Sequence, residues 1–179
     1  MEHLKLFEDY RGKKLVLYIH GLDSHPHKDR IDAMKASDVS VVAPLFHYRE
    51  KPAWDMLVEI METQMPDAIV GFSIGGYLGL HLSDKFEVPA LLFSPAIVDA
   101  KKENLIPPDL QPIPADVLKL MPFKGKMAVI SPKDELLDFD KLKTALEGRA
   151  EIVVDAAMEH RTPTWAVEKY FPKFYEKYL

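Results

Sequence analysis

The feature that most constrains this chain is a set of six short runs rich in Val, Ile and Leu that mostly lack polar–apolar alternation. They fall at residues 15–19, 39–43, 68–72, 90–93, 127–130 and 151–154. Continuous apolar runs of this length are the pattern of strands buried on both faces of a parallel sheet. Longer amphipathic stretches separate them. Trp54, Leu57, Val58 and Met61 recur at helical spacing, with Asp55, Glu59 and Glu62 on the other side. Pro52 suits the first turn of that helix. Asp138 caps a helix through Phe139, Leu142 and Leu146, and Gly148 ends it. Thr162-Pro163 reads as a cap and proline start for a carboxy-terminal helix, interrupted near Pro172. Strands alternating with helices imply βαβ crossovers, so the expected fold is α/β: a doubly wound, mostly parallel sheet of six to seven strands. The seventh would be an antiparallel edge strand at residues 3–7, turning at Arg11-Gly12.

Composition narrows the partners. With 23 basic and 28 acidic residues the formal charge is 23 − 28 = −5, without the basic surface of a nucleic-acid or anionic-membrane binder. The absence of cysteine removes disulfides, thiolate metal sites and cysteine nucleophiles. No apolar run approaches the ~20 residues needed to span a bilayer, and Met1-Glu2-His3-Leu4-Lys5 does not begin a signal peptide. A cytoplasmic protein is expected, a monomer or homodimer with a small-molecule substrate and no cofactor.

All 179 residues are expected to form one domain. Within it, residues 101–123 hold five of the fourteen prolines: Pro107, Pro108, Pro112, Pro114 and Pro122. They exclude one long helix. The segment, about 96–124, is either a surface connection with a short helix near 115–121 or a lid over a site at the carboxyl ends of the strands.

Four of the eight glycines lie between positions 71 and 79 and frame Gly71-Phe72-Ser73-Ile74-Gly75-Gly76. The motif follows an expected strand and opens an expected helix, the setting of a nucleophile elbow. Gly71 and Gly75, two residues before and after Ser73, must be small for strand and helix to approach. The turn then projects the serine hydroxyl above the positive end of the helix dipole. Serine is a weak nucleophile until a base takes its proton and a third group orients the base. After Ser73 the histidines are His81 and His160. His81 lies two turns down the elbow helix. His160 sits between the last strand and last helix, at the same sheet edge as Ser73, and is the expected base. Asp134, in the loop after the penultimate strand, is the expected acid; Glu135, Asp138 and Asp99 compete with it. Two backbone N–H groups would receive the developing oxyanion: Ile74, after the nucleophile, and Leu22, which Gly21 lets turn toward the site. His20 is read as holding that loop rather than as a base.

These stretches resemble the α/β-hydrolase superfamily, and more narrowly the small YqiA-type esterases. The matching residues are His20-Gly21-Leu22-Asp23-Ser24, the elbow from Gly71 to Gly76, Ser94-Pro95-Ala96, and Asp134-Glu135-Leu136-Leu137-Asp138 followed by His160. They span most of the chain. The resemblance implies a serine hydrolase acting on short carboxylic esters with Ser73, Asp134 and His160 as its triad. Thioester cleavage would use the same groups, and a catalytically silent binding protein of this fold is the reading from a different class. Two departures stand beside the match: Ala157-Met158-Glu159 precedes the histidine where a glycine-containing turn is usual, and Ser131-Pro132-Lys133 precedes the acid where glycine is common.

Two further clusters have plainer readings. His25-Pro26-His27-Lys28-Asp29 gathers metal-ligand types, but no other ligand falls at metal-site spacing, so it reads as a solvent-facing helix start near the pocket rim. Trp165, Tyr170, Phe171, Phe174, Tyr175 and Tyr178 read as the core-facing side of the last helix, part of which would suit a dimer contact.

Overall fold

All six apolar runs become strands in the computed structural model, which describes residues 13–48, 53–97, 113, 114 and 116–179. The strands are β1 (Lys14–Ile19), β2 (Val39–Val42), β3 (Ala68–Phe72), β4 (Ala90–Phe93), β5 (Lys126–Ile130) and β6 (Glu151–Val154). Between and after them run α1 (Lys28–Lys35), α2 (Ala53–Gln64), α3 (Ile74–Phe86), α4 (Phe139–Leu146) and α5 (Thr164–Tyr178). The sheet order is β2-β1-β3-β4-β5-β6, and every pairing is parallel.

The missing alternation has its cause in the layers. Leu15, Leu17, Ile19, Ile69, Leu92 and Ile130 point to the face covered by α2, α3 and α4. Their neighbours Val16, Tyr18, Val70, Phe72, Phe93 and Val129 point to the face covered by α1 and α5. Both sides of each central strand are therefore apolar. Register aligns Ile19 with Gly71, Phe72 with Phe93 and Ile130 with Val154, so the carboxyl ends of these strands form one edge. The chain reverses direction across the sheet between β1 and β3. In open α/β sheets such a switch point leaves a crevice outside the strand ends.

β5 begins one residue earlier than the apolar run because Lys126 is itself buried. Its ammonium bonds Asp84 at the end of α3 and the Phe123 carbonyl. Asp84 also accepts from the Phe123 N–H at 2.8 Å and pairs with Arg149 at 3.3 Å. A lysine is tolerated there because its charge is matched by Asp84 and two of its donors are used.

Three local expectations need correction. Helix α5 is continuous through Pro172. The proline removes one backbone bond, but Ala166, Val167, Tyr170, Phe171 and Phe174 are buried along the same helix, and that packing outweighs the lost bond. Thr162 is not the cap of this helix: Pro163 holds the N-cap position and Thr162 is buried, its carbonyl bonded to Arg30. The short helix near 115–121 is a single 3₁₀ turn, Val117–Lys119, tied by Val117 and Leu118 N–H groups to the Pro114 carbonyl. Asp138 does cap α4, accepting from the Lys141 N–H at 3.0 Å, and Gly148 follows with φ +73°. The expected edge strand at 3–7, Pro52, Asp99 and most of the 96–124 segment lie outside the described residues. No described helix is long and apolar enough to cross a membrane.

Candidate active site

Ser73 sits between β3 and α3 with φ 53° and ψ −116°, a conformation L-residues rarely hold. Backbone bonds from its own helix and from the end of β4 and the residues after it over-determine it. Its N–H donates to the Phe93 carbonyl at 3.0 Å, and its own carbonyl accepts from Tyr77 and Ala96, each at 3.0 Å. The flanking glycines are spatial necessities. A Cβ on Gly71 would overlap the Gly75 carbonyl, and one on Gly75 would overlap the Ile19 carbonyl of β1. The elbow is thus wedged between its own helix and the adjacent strand.

Three predicted residues, far apart in the chain, meet here. Ser73 Oγ lies 2.8 Å from His160 Nε2. His160 Nδ1 donates to Asp134 at 2.9 Å to Oδ2 and 3.1 Å to Oδ1. With its proton on Nδ1, the imidazole presents Nε2 as acceptor for the serine hydroxyl. Asp134 is 2% exposed. Burial pushes its carboxyl up, but bonds from His160, Leu137 N–H and Leu136 N–H outweigh burial and hold it below the ordinary carboxylate value. Asp134 therefore stays ionised beside the imidazole.

Of the competing acids, Asp138 is committed to capping α4. Glu135 accepts from the His160 backbone N–H at 3.0 Å, and so holds the loop rather than the ring. His81 is buried, edge-on to Tyr77 at 5.1 Å, and pushed down to about 4 by burial and then by Arg149. It lies on the buried side of the elbow helix itself.

His20 holds its loop as read. Nδ1 donates to the Gly21 carbonyl at 2.7 Å, while Nε2 accepts from the Phe46 N–H at 2.9 Å. Both ring nitrogens are occupied in the neutral form, and burial, the largest cause, lowers the pKa. Gly21 packs against Ser73: a Cβ there would stand 3.4 Å from the serine Cβ. Leu22 and Ile74 line a cavity of about 720 Å³ that also borders Ser73, His160, Phe72, Ala96, Leu137 and Arg30. His25 and His27 border it too, with ring centroids 4.5 Å apart, and His27 is the N-cap of α1. Among the described residues no group of three or more His, Asp or Glu is placed to hold a metal ion. The last helix buries Tyr170, Phe171 and Phe174, whereas Trp165 is exposed.

Comparison with known proteins adds the lineage. The model of the uncharacterised protein family UPF0227 matches residues 15–106, just over half of the chain. The chain belongs to this family. The match covers the β1 loop and the elbow, and agrees with the YqiA-type resemblance of the sequence. Among solved structures, SOBER1 from Arabidopsis thaliana is similar at TM-score 0.63 and 12% identity, covering 92% of this chain and 98% of its own. The metagenome-derived lipolytic enzymes LipS and LipT give 0.67 and 13%, covering 92% and 95%. A dienelactone hydrolase from Anabaena variabilis gives 0.63 and 17%, covering 94% and 88%. At these identities the likeness establishes the fold, which is that of the α/β-hydrolases.

Four residues acquire roles that the sequence does not assign to them. Ser131 Oγ donates to the Met158 carbonyl at 2.6 Å and accepts from the Lys133 N–H at 3.0 Å, so the acid loop and the histidine loop are stitched together. The two departures from the family pattern thus face one another. Asp155 accepts from the Ala157 N–H, Lys169 and the Tyr170 hydroxyl, anchoring the histidine loop to α5. Glu135 holds the His160 backbone. Arg30 is buried against Phe72 with its guanidinium carbon 4.7 Å from the ring centroid. Its spacing of four from buried Met34 was the available signal, since both fall on one helix face.

Proposed function

We propose that this protein is a serine hydrolase of carboxylic esters with small or short-chain acyl groups, acting through an acyl-enzyme on Ser73. The observation that carries this reading is the continuous hydrogen-bonded relay from Ser73 Oγ through His160 to buried Asp134, opening into the cavity at the strand ends. His160 Nε2 takes the Ser73 proton as Oγ attacks the ester carbonyl carbon. The tetrahedral oxyanion is received by the N–H groups of Ile74 and Leu22. Collapse breaks the bond to the alkoxy oxygen, and the alcohol leaves with the proton from His160. Water then gives a proton to His160 and attacks the acyl carbon. Collapse of the second intermediate returns that proton to Ser73 and releases the acid. Asp134 stays ionised throughout, fixing the tautomer and stabilising the imidazolium.

The short-chain preference rests on the size of the chain: 179 residues leave little mass for a large cap over the cavity, whose apolar wall includes Leu22, Ile74, Ala96 and Leu137. The whole chain is proposed to serve as one domain around this site. Thioesters would pass through the same steps.

The test is turnover of 4-nitrophenyl acetate, butyrate and octanoate by the native protein and by Ser73→Ala. The expected result is hydrolysis of the two shorter esters, lost by at least about a thousandfold in the variant. A variant that keeps most of its activity would refute the assignment.

A further inference from the structure

The cavity straddles the sheet edge, and its two sides differ in character. Ile74, Ala96 and Leu137 belong to the core of one sheet face. On the side of α1 and α5, which cover the other face, the wall contains Arg30. This side chain is 8% exposed, yet among the described residues it has no carboxylate partner. Nη1 donates to the Tyr18 hydroxyl at 3.4 Å and Nη2 to the Thr162 carbonyl. A guanidinium has five donors, so others remain. Clamping one carbonyl and one hydroxyl does not require a charge, and a buried cation without an anion is costly. The acidic groups at the cavity do not repair this. Glu135 is turned to the His160 backbone, while Asp23 and Glu159 are exposed. Arg161 also borders the cavity. The guanidinium stacks near Phe72, the residue immediately before Ser73, within reach of a substrate bound there.

We propose that Arg30 determines specificity by receiving an anionic oxygen group, of which a carboxylate is the simplest, on the ester that Ser73 attacks. This inference rests on the ester-hydrolase reading of the site. It narrows the substrate class to esters carrying a negative charge on the acyl half or the alcohol half. The carboxylate–guanidinium pair forms only with substrate bound, and supplies the missing counter-charge.

The experiment compares two matched pairs. The mono-4-nitrophenyl ester of adipic acid and its methyl ester place a carboxylate, or its neutral counterpart, on the acyl half. The compounds 4-butanoyloxybenzoate and its methyl ester do the same on the alcohol half. Binding is measured by calorimetry to Ser73→Ala, and turnover with the native protein. The expected result is that the charged member of one pair binds about 10- to 100-fold more tightly than its neutral counterpart, the worth of one charge-assisted bond. The pair that discriminates identifies the half. Adding Arg30→Gln should bring the two members within about threefold, and Arg30→Lys, which retains charge if Gln unfolds the loop, should leave an intermediate ratio. The charged-to-neutral ratio is the readout because loss of the Thr162 bond would disturb both members alike. No preference for either carboxylate, or a preference that survives Arg30→Gln, would overturn the inference. Arg30-dependent binding of a carboxylate without turnover of any ester would uphold the anion site and count against the hydrolase reading instead.

Discussion

The two sides of the Ser73–His160 hydrogen bond are built by different physics. The serine side is a backbone device. It is a strained turn bonded through its main chain to the end of β4 and pressed against β1, with no room for a Cβ at Gly71 or Gly75. The histidine side is a side-chain device. Ser131, Glu135 and Asp155 hold the loop from Asp155 to Thr162 by separate bonds, and Arg30 ties down its end. A device made of close backbone contacts fails as a whole when one atom is added. One made of several side-chain bonds should weaken in steps.

The largest effect that separates them is expected at Gly75→Ala. The new methyl meets the Ile19 carbonyl, which the sheet fixes, so destabilisation of at least about 3 kcal/mol or loss of folded protein should appear in urea melts. A mild effect there would break the comparison. Next is Ser131→Ala, which leaves the buried Met158 carbonyl without its donor. About 1–3 kcal/mol of stability and roughly tenfold in ester turnover should be lost. The binding of a substrate analogue should change less than turnover, because the cavity wall remains.

Asp155 adds a pH signature. Bonds from Lys169, Tyr170 and the Ala157 N–H push its carboxyl down to about 2 from 3.8. A depressed folded-state value means its stabilisation is present above 3.8 and lost as pH falls through about 2. The stability gap between native protein and Asp155→Asn should therefore be largest above pH 4 and shrink toward zero near pH 2, followed by circular dichroism in urea. A gap that stays constant with pH would show that the carboxylate charge contributes nothing. The smallest effect is expected at Glu135→Gln. The amide still accepts the His160 N–H, so turnover should fall only a few-fold and the fold should be unchanged. A loss as large as that of Asp134→Asn would instead move the acid role toward Glu135.

The same contrast explains what could be read from the sequence. The elbow is written locally: small residues two before and two after Ser73, a buried strand ahead and a helix behind. Its steric needs fix residue types at fixed spacing. The strands are similarly legible, because burial on both faces removes alternation from 68–72 and 90–93. Chain order and the sheet edge point to His160 and to the loop that holds Asp134, with Glu135, Asp138 and Asp99 left as competitors. Their supports were not legible. Ser131 and Met158 are 27 positions apart, and Arg30 and Thr162 are 132 apart. Nothing in either local pattern marks a hydrogen bond made across that separation. Lys126 falls outside the apolar run at 127–130 for the same reason, since the compensating Asp84 lies 42 positions away. Pro172 misled in the opposite direction, because a local rule against interior proline yields to the apolar face that α5 buries.

The central claim is that His160 activates Ser73. Covalent labelling with a fluorophosphonate, read by intact mass and then peptide mapping, tests it without assuming a substrate. A single adduct on Ser73, abolished or slowed at least about a hundredfold in His160→Ala, is the predicted result. Folded protein that takes no adduct, or labels equally fast without the histidine, would contradict it.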